Sequence, residues 1–326
     1  MNTFTGAVIS AGISCFMILL LRLLLPGRGG LGSLFIPEHE QNEGPKLGGV
    51  FLLAGLIAGM LAGGASLSGN SLFALLITAA SVLIGFVDDM ISLQDRRGEG
   101  IVPWLKGLLV FLLMLSAALY LAFSEVPGQA LFLPISCASA DLNGWYILLA
   151  LPLLLGRLMS EKKLCESAGD FSANNGYEAA FWCFVFCIAA QTGAGQWFQY
   201  RDEFHGMAIF SGSAAGTVLG ISVFNTDGKA LRLGTSGYFG IATALSLMAL
   251  SSGWLILLPF AALWPFCCAI YALIKRVRAG KNPVGPTDLL LADYFTGHGM
   301  TVPRLQSTIR WLSLLGLLTA AVLYMF

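Results

Sequence analysis

The sequence predicts an all-α integral membrane protein with about ten transmembrane helices. The 326-residue chain is 56% hydrophobic and only 11% charged, whereas soluble domains usually carry about 25% charged residues. Its apolar residues form repeated runs close to the roughly 20 residues that a helix needs to cross a bilayer. Its basic residues gather on one side of those runs. We interpret residues 1–326 as a single polytopic membrane domain.

Ten apolar runs are candidate spans. The first starts almost at the N-terminus without a basic region or a small-residue cleavage site, so we expect a retained helix rather than a signal peptide. The candidates are residues 4–26, 47–66, 71–87, 104–123, 144–159, 178–194, 207–224, 237–252, 254–274 and 309–326.

The basic residues predict the orientation of these spans. Cytoplasmic connections carry an excess of Lys and Arg. Seventeen of the 18 basic residues lie in the odd-numbered connections or their helix ends, and Arg201 lies in an even-numbered one. Both termini are therefore expected outside, with five loops in the cytoplasm. The formal net charge is zero, which gives no indication of a nucleic-acid partner.

The expected cytoplasmic loops carry most of the polar residues, so a site is expected on that face. These loops are residues 27–46, 88–103, 160–177, 225–236 and 275–308. The outer segment 124–143 alternates weakly and predicts a short hairpin. The spacing of the seven cysteines fits neither a zinc site nor a disulfide scaffold.

Two adjacent carboxylates, Asp88 and Asp89, follow the third apolar run in LIGFVDDMISL. Carboxylate oxygens at a membrane boundary suit a hard divalent cation, and one carboxylate could act as a base or nucleophile toward a phosphate. The alternative is that the pair only ends a helix in water.

Other inner-face residues also allow two interpretations. The paired glycines of GPKLGG (residues 44–49) could let a phosphate approach the backbone, or could only pack helices closely. Lys106 could contact the same phosphate or extend toward water at the interface. Phe224 and Asn225 could hold a base or be structural.

The order of these segments carries a resemblance. Seven motifs follow one another along the chain: GPKLGG, GFVDD, a Gly-x5-Lys stretch, an Asn-Gly loop, a Gly-rich span ending in Phe-Asn, Leu-Gly-x-x-Gly and a basic tail. This resembles the MraY family, the phospho-N-acetylmuramoyl-pentapeptide transferases, and the wider polyprenyl-phosphate sugar-1-phosphate transferases. The resemblance implies ten helices with both termini outside. It also implies Mg²⁺-dependent transfer of a phospho-sugar from a uridine nucleotide to undecaprenyl phosphate at the cytoplasmic face, with release of UMP, in bacterial cell-wall synthesis.

The resemblance implies roles for particular residues. Asp88 and Asp89 are the expected catalytic pair, with Asp89 also an expected metal ligand. The expected substrate-binding residues are Pro45, Gly48, Gly49, Lys106, Asn175, Gly176, Phe224, Asn225, Gly234 and Gly237.

The chain also departs from the family pattern. Ser92 stands where a lysine is expected, Thr235 stands where a metal-binding aspartate is expected, and residues 283–295 lack the three-histidine motif. Both threonines of the family's TPTMGG are replaced as well. Loss of a carboxylate predicts weaker Mg²⁺ binding, and loss of lysine and histidines removes positive charge. Candidate substitute ligands are Asp170, Asp227 and Asp293.

Three functions follow from the sequence. The first is transfer of a phospho-sugar from a UDP-sugar to undecaprenyl phosphate. The second is a catalytically degenerate relative that binds a polyprenyl lipid, a nucleotide-sugar or a membrane partner without turnover. The third is transport, which is disfavoured because transporters keep ionisable residues near the midplane and here they gather on one face. A homodimer stays open.

Overall fold

Long helices form almost all of the computed structural model. It describes residues 3–24, 46–64, 69–94, 100–123, 130–133, 138–141, 145–167, 172–192, 200–224, 233–279 and 291–325. The helices are α1 (Thr3–Leu24), α2 (Gly48–Gly63), α3 (Gly69–Gln94), α4 (Pro103–Phe123), α5 (Trp145–Ser167), α6 (Ser172–Thr192), α7 (Arg201–Phe224), α8 (Gly234–Ser251), α9 (Leu258–Ala261), α10 (Leu263–Ala279), α11 (Leu291–Gly297) and α12 (Val302–Met325).

A short hairpin interrupts the helices where weak alternation predicted one. Strands β1 (Ala130–Leu133) and β2 (Ala138–Asp141) pair antiparallel, from Ala130 opposite Asp141 to Leu133 opposite Ala138. This is the one strand pair in the part of the chain that the structure describes. The fold is otherwise helical, as the sequence predicts.

Five helices in the described ranges are long and apolar enough to cross a membrane, and a bent pair makes a sixth if it counts as one span. The apolar helices Gly48–Gly63 and Trp145–Leu158 are shorter. An integral membrane protein is therefore supported. The count of ten spans and the position of both termini outside stay predictions.

The expected span 254–274 differs from a single helix. A 3₁₀ turn, Leu255–Leu257, leads into α9, and α10 then continues at an angle of 86° to them. The break at Ala262 has a local cause in Pro265, because a proline ring clashes with the carbonyl of the residue four positions earlier and has no N–H to donate. The apolar run was visible in the sequence, but the effect of Pro265 on it was not anticipated.

Helix α8 lies in the interior, where it is buried along almost its whole length. It packs against α2, α3 and α5, while α7 packs against α1, α2 and α6. Small polar side chains join these helices: the Ser81 hydroxyl donates to the Phe239 carbonyl at 2.9 Å, and the Thr243 hydroxyl donates to Ser81 at 2.8 Å. Such contacts hold membrane helices together where apolar burial gives no preference between lipid and protein. These two contacts join α3 to α8, and α2 packs against both helices.

Candidate functional site

Asp88 lies buried near the expected cytoplasmic end of α3 and contacts both α4 and the segment that leads into it. The Lys106 ammonium lies 2.6 Å from Asp88 Oδ2, and the backbone N–H of Ile101 donates to Oδ1 at 2.8 Å. A Cβ at Gly100 would overlap Asp88 Oδ1, so the chain passes closest to the carboxylate where it has no side chain. The sequence placed Asp88 and Lys106 on the same face, and the structure pairs them directly.

Asp89 points instead toward the first turn of α8. Its Oδ1 accepts the backbone N–H of Thr235 at 2.8 Å, and its Oδ2 accepts both the N–H and the hydroxyl of Ser236 at 2.9 Å. The first N–H groups of a helix have no partner within the helix, and a carboxylate is the favoured acceptor for them. Asp89 therefore caps α8 from a different helix, with its own side chain buried.

Three glycines let α2 and α3 approach the start of α8 at very short range. A Cβ on Gly48 would lie 2.5 Å from Leu233 Cα, and one on Gly49 would lie 2.5 Å from Ser236 Cβ. A Cβ on Gly85 would lie 2.5 Å from Ser236 Cα. Close helix packing, one of the two interpretations of Gly48 and Gly49, is thus a role that the structure gives them.

Gly234 is required for two reasons. Its φ is +64°, in the left-handed region that favours glycine. A Cβ there would also lie 2.5 Å from Asp89 Oδ2 and 3.3 Å from the Cβ of Lys46. Gly237 follows one turn into α8, where an added Cβ would meet the Leu233 side chain at 2.8 Å. The carboxylate of Asp89 and the Cβ of Lys46 therefore both lie close to Gly234.

Replacing Gly85 with alanine should destabilise the protein because the added methyl meets backbone atoms of Ser236, which cannot rotate away. Overpacking of this kind costs about 1–3 kcal/mol. Gly107→Ala is the matched control, since nothing lies within 4 Å of a Cβ there and alanine favours a helix by about 1 kcal/mol. Thermal unfolding in detergent should give a lower midpoint for Gly85→Ala and an unchanged or higher one for Gly107→Ala. Equal midpoints would contradict the close approach of α3 to α8.

Asn175 and Gly176 lie on α6, in a second polar cluster. Arg157 Nη2 on α5 donates to Asn175 Oδ1 at 3.0 Å and to Glu178 Oε2 at 2.7 Å. All three side chains are buried. A Cβ at Gly176 would meet the Leu219 side chain of α7 at 2.8 Å. The structure thus gives these two predicted substrate-binding residues packing partners on α5 and α7.

Several residues with predicted site roles lie partly or wholly outside the described structure. Phe224 ends α7 and Asp293 lies on α11, but their side chains are outside the described set. The remaining residues of this kind lie outside the described residues altogether: Pro45, Asp170, Asn225 and Asp227. Their predicted roles stay predictions.

Aromatic side chains occupy the region where the family has its histidines. The Tyr294 ring lies 4.2 Å from the His298 ring and 5.9 Å from the Tyr271 ring, centroid to centroid. Phe295 packs against a small apolar cluster that includes Trp264. His298 belongs to the turn after α11, and its Nδ1 lies 2.7 Å from the Tyr294 carbonyl oxygen.

Sequence reasoning missed Gly85, Ser236 and Glu178 as site residues, and it treated Lys46 and Arg157 only as cytoplasmic basic residues. A helix-start signal was available for Ser236, which follows the Leu-Gly-Thr that opens α8. No local signal marked Glu178, because its importance depends on Arg157 of another helix.

The carboxylate pair does not fit a Mg²⁺ ion as it stands. In the described ranges, no group of three or more His, Cys, Asp and Glu side chains could hold a metal. All four oxygens of the pair already accept a hydrogen bond within the chain. Thr235 contributes its N–H and not a carboxylate. Mg²⁺ needs several oxygen ligands in near-octahedral geometry, and the described side chains do not supply them.

Comparison with known proteins identifies relatives. The phospho-N-acetylmuramoyl-pentapeptide-transferase of Halalkalibacterium halodurans is 25% identical over 226 residues, which cover 68% of this chain and 65% of the relative. That of Thermotoga neapolitana is 27% identical over 65% of this chain and 62% of its own length. That of Synechococcus elongatus is 27% identical over 78% and 67%. The chain resembles the MraY transferases.

The MraY resemblance inferred from the order of the motifs is thereby confirmed, at a distant level. The chain spans just under two thirds of the first relative's length, and no protein-family model matches it. The relatives are transferases by name, which supports a transferase-like protein of the bacterial membrane. Activity, substrates and partners of this chain do not follow from identities this low.

Proposed function

We propose that this chain is a divergent MraY-like transferase that moves a phospho-sugar from a UDP-sugar onto undecaprenyl phosphate. The observation that supports this best is the buried Asp88–Asp89 pair where α3 meets α8, with Lys106 at ion-pair distance from Asp88. The expected orientation puts this pair at the cytoplasmic face of the plasma membrane. The sugar carries either the muramoyl-pentapeptide or a related group.

In the proposed reaction, an oxygen of the lipid phosphate attacks the β-phosphorus of the UDP-sugar. A new P–O bond forms, the bond from the β-phosphorus to the oxygen bridging it to the α-phosphate breaks, and UMP leaves with the electron pair. Asp88 takes the proton from the lipid phosphate when that group is protonated, and Lys106 holds phosphate oxygens. Positioning and electrostatic stabilisation supply most of the rate in such transfers. We assign Phe224 and Asn225 to the border of the uridine site.

One observation supports a second candidate, a relative that binds these ligands without turnover. Each carboxylate oxygen of the pair already accepts a hydrogen bond from a donor inside the protein. Asp89 in particular accepts the hydrogen bonds of the first turn of α8. A base or metal ligand must have an oxygen available to the reacting group. In this second candidate function, the Asp88–Asp89 pair keeps its structural contacts, and the protein binds the ligands without catalysing their reaction.

The assay is release of UMP from a panel of UDP-sugars, including UDP-N-acetylmuramoyl-pentapeptide, by purified protein with undecaprenyl phosphate. We expect UMP from at least one substrate, and we expect Asp88→Asn to lower kcat by about 10²–10⁴-fold, the usual contribution of a positioned acid or base. Each reaction is run with Mg²⁺ and with a chelator.

Asp88→Asn is the sharper variant because Asp89 also holds α8, so that loss of activity in an Asp89 variant could come from altered structure. Thermal unfolding of Asp88→Asn checks that it is folded. The variant Lys275→Gln, at a partly exposed lysine of α10, is the control and should keep full activity. Lack of UMP across the panel, together with retained lipid binding, would support the non-catalytic candidate.

A further inference from the structure

Two lysines lie beside the carboxylate pair. Lys106 pairs with Asp88. The Cβ of Lys46 and the carboxylate of Asp89 both lie close to Gly234. Lys46 occupies the position of the second threonine in the family's TPTMGG, so this chain has a positive charge where the family has a hydroxyl. Among the described residues, no carboxylate lies within ion-pair distance of Lys46.

The charges at this point disfavour a divalent cation. A Mg²⁺ ion bound to Asp88 would lie close to the Lys106 ammonium, and like charges a few ångströms apart repel strongly where water is scarce. Thr235 supplies no third carboxylate, so only Asp88, which is paired with Lys106, and Asp89, which binds the first turn of α8, could offset that repulsion. The same two lysines attract an anion.

We infer that Lys46 and Lys106 bind a diphosphate-type anion at this site without a divalent metal. The lysines supply the positive charge that Mg²⁺ supplies in an acidic site. Only the identity of the anion, the diphosphate of a nucleotide-sugar, rests on the proposed function.

The geometry of Lys106 allows an anion to reach it without breaking the ion pair. The Lys106 side chain is 17% exposed, whereas that of Asp88 is 5% exposed. An ammonium has three N–H donors, and the contact with Asp88 Oδ2 uses one of them. The outward donors can therefore contact a phosphate while Asp88 holds the ammonium in place.

Lys46 would approach the anion from the start of α2. It directly precedes α2, whose first glycines bring the helix against Leu233 and Ser236, so its backbone is fixed relative to α8. Its side chain is partly exposed, and its flexible four-carbon stem lets the ammonium adjust to the ligand. The two lysines thus come from two different elements, the segment before α2 and the first turn of α4.

The test uses the purified full chain in detergent and two probes, inorganic pyrophosphate and Mn²⁺. Calorimetry should give a pyrophosphate affinity that changes less than about twofold between Mg²⁺ and chelator. Lys46→Gln and Lys106→Gln should each weaken it by about tenfold or more, which corresponds to loss of one hydrogen bond to a charged group. Lys46→Arg and Lys106→Arg keep the charge and should bind better than the glutamine variants. Lys275→Gln, remote in sequence and on α10, should bind as the unmodified chain does.

Electron paramagnetic resonance measures Mn²⁺ binding to the unmodified chain. This second measurement does not depend on whether a variant folds. We expect no saturable Mn²⁺ binding below millimolar concentrations. Saturable binding that Asp88→Asn abolishes would overturn the inference, as would pyrophosphate binding that requires Mg²⁺ or no pyrophosphate binding at all.

The outcome separates this inference from the proposed function. Metal-independent pyrophosphate binding through both lysines without any UMP release would leave the anion site standing and remove the transferase. UMP release that occurs only with Mg²⁺ would keep the transferase and overturn the metal-free site.

Discussion

Replacing Arg157 with methionine is expected to cost the protein about 3–5 kcal/mol, because it leaves the Glu178 carboxylate buried without its cation. The Arg157 guanidinium lies 2.7 Å from Glu178 Oε2, and the two side chains are 0% and 3% exposed. Methionine keeps an unbranched apolar stem but not the guanidinium group, so most of the loss comes from the removed charge and a smaller part from the lost volume. Detergent-solubilised Arg157→Met should give a low yield of monodisperse protein and a lower midpoint of thermal unfolding.

The second substitution Glu178→Gln should recover much of this loss, because it removes the negative charge that Arg157 no longer balances. Contacting groups show non-additive effects of this kind, whereas distant ones add. Arg304→Met, at an exposed arginine of α12, is the control for loss of a surface cation and should have little effect. Additive effects of Arg157→Met and Glu178→Gln would show that the ion pair does not act as a unit.

The helices could be predicted from the sequence because apolar composition decides them locally. Nine of the ten predicted runs each overlap one helix in the described structure, and the run 254–274 is divided between a 3₁₀ turn, α9 and α10. The pairing of Asp88 with Lys106 agrees with their expected common face. The bend at Ala262 depends on a single proline inside an apolar run, and the mean hydropathy of that run does not indicate where a helix bends. Arg157 was expected as a basic residue at the cytoplasmic end of the span 144–159, and its burial was missed because it depends on Glu178 of a neighbouring helix.

The site could be predicted less completely, because its contacts join residues far apart in the chain. Asp89 contacts the N–H of Thr235 across 146 positions, and no local pattern indicates such a pairing. The sequence comparison treated Thr235 as a lost carboxylate. Its contact with Asp89 uses the backbone N–H, which almost any residue offers, so the cap survives a replacement that removes a metal ligand.

Removal of the Asp89 carboxylate should therefore have a large structural effect in addition to any chemical one. In Asp89→Ala, the N–H groups of Thr235 and Ser236 and the Ser236 hydroxyl all lose their acceptor. A buried donor left without a partner costs about 1–3 kcal/mol. The midpoint of thermal unfolding should fall further than in Asp88→Ala, because the partly exposed Lys106 can turn to water and the Ser236 donors are buried.

Asp89→Asn distinguishes hydrogen-bond acceptance from packing. The asparagine side chain has the same shape but only one acceptor oxygen, so its NH₂ group would face either the Thr235 N–H or the Ser236 N–H and cannot accept from it. We therefore expect the stability of Asp89→Asn to lie between that of the unmodified chain and that of Asp89→Ala. Ser236→Ala, which removes one donor and keeps the backbone contacts, should be milder, and its effect should shrink when Asp89 is already alanine. Unfolding of Asp89→Asn at the midpoint of the unmodified chain would contradict the cap and return Asp89 to a purely chemical role.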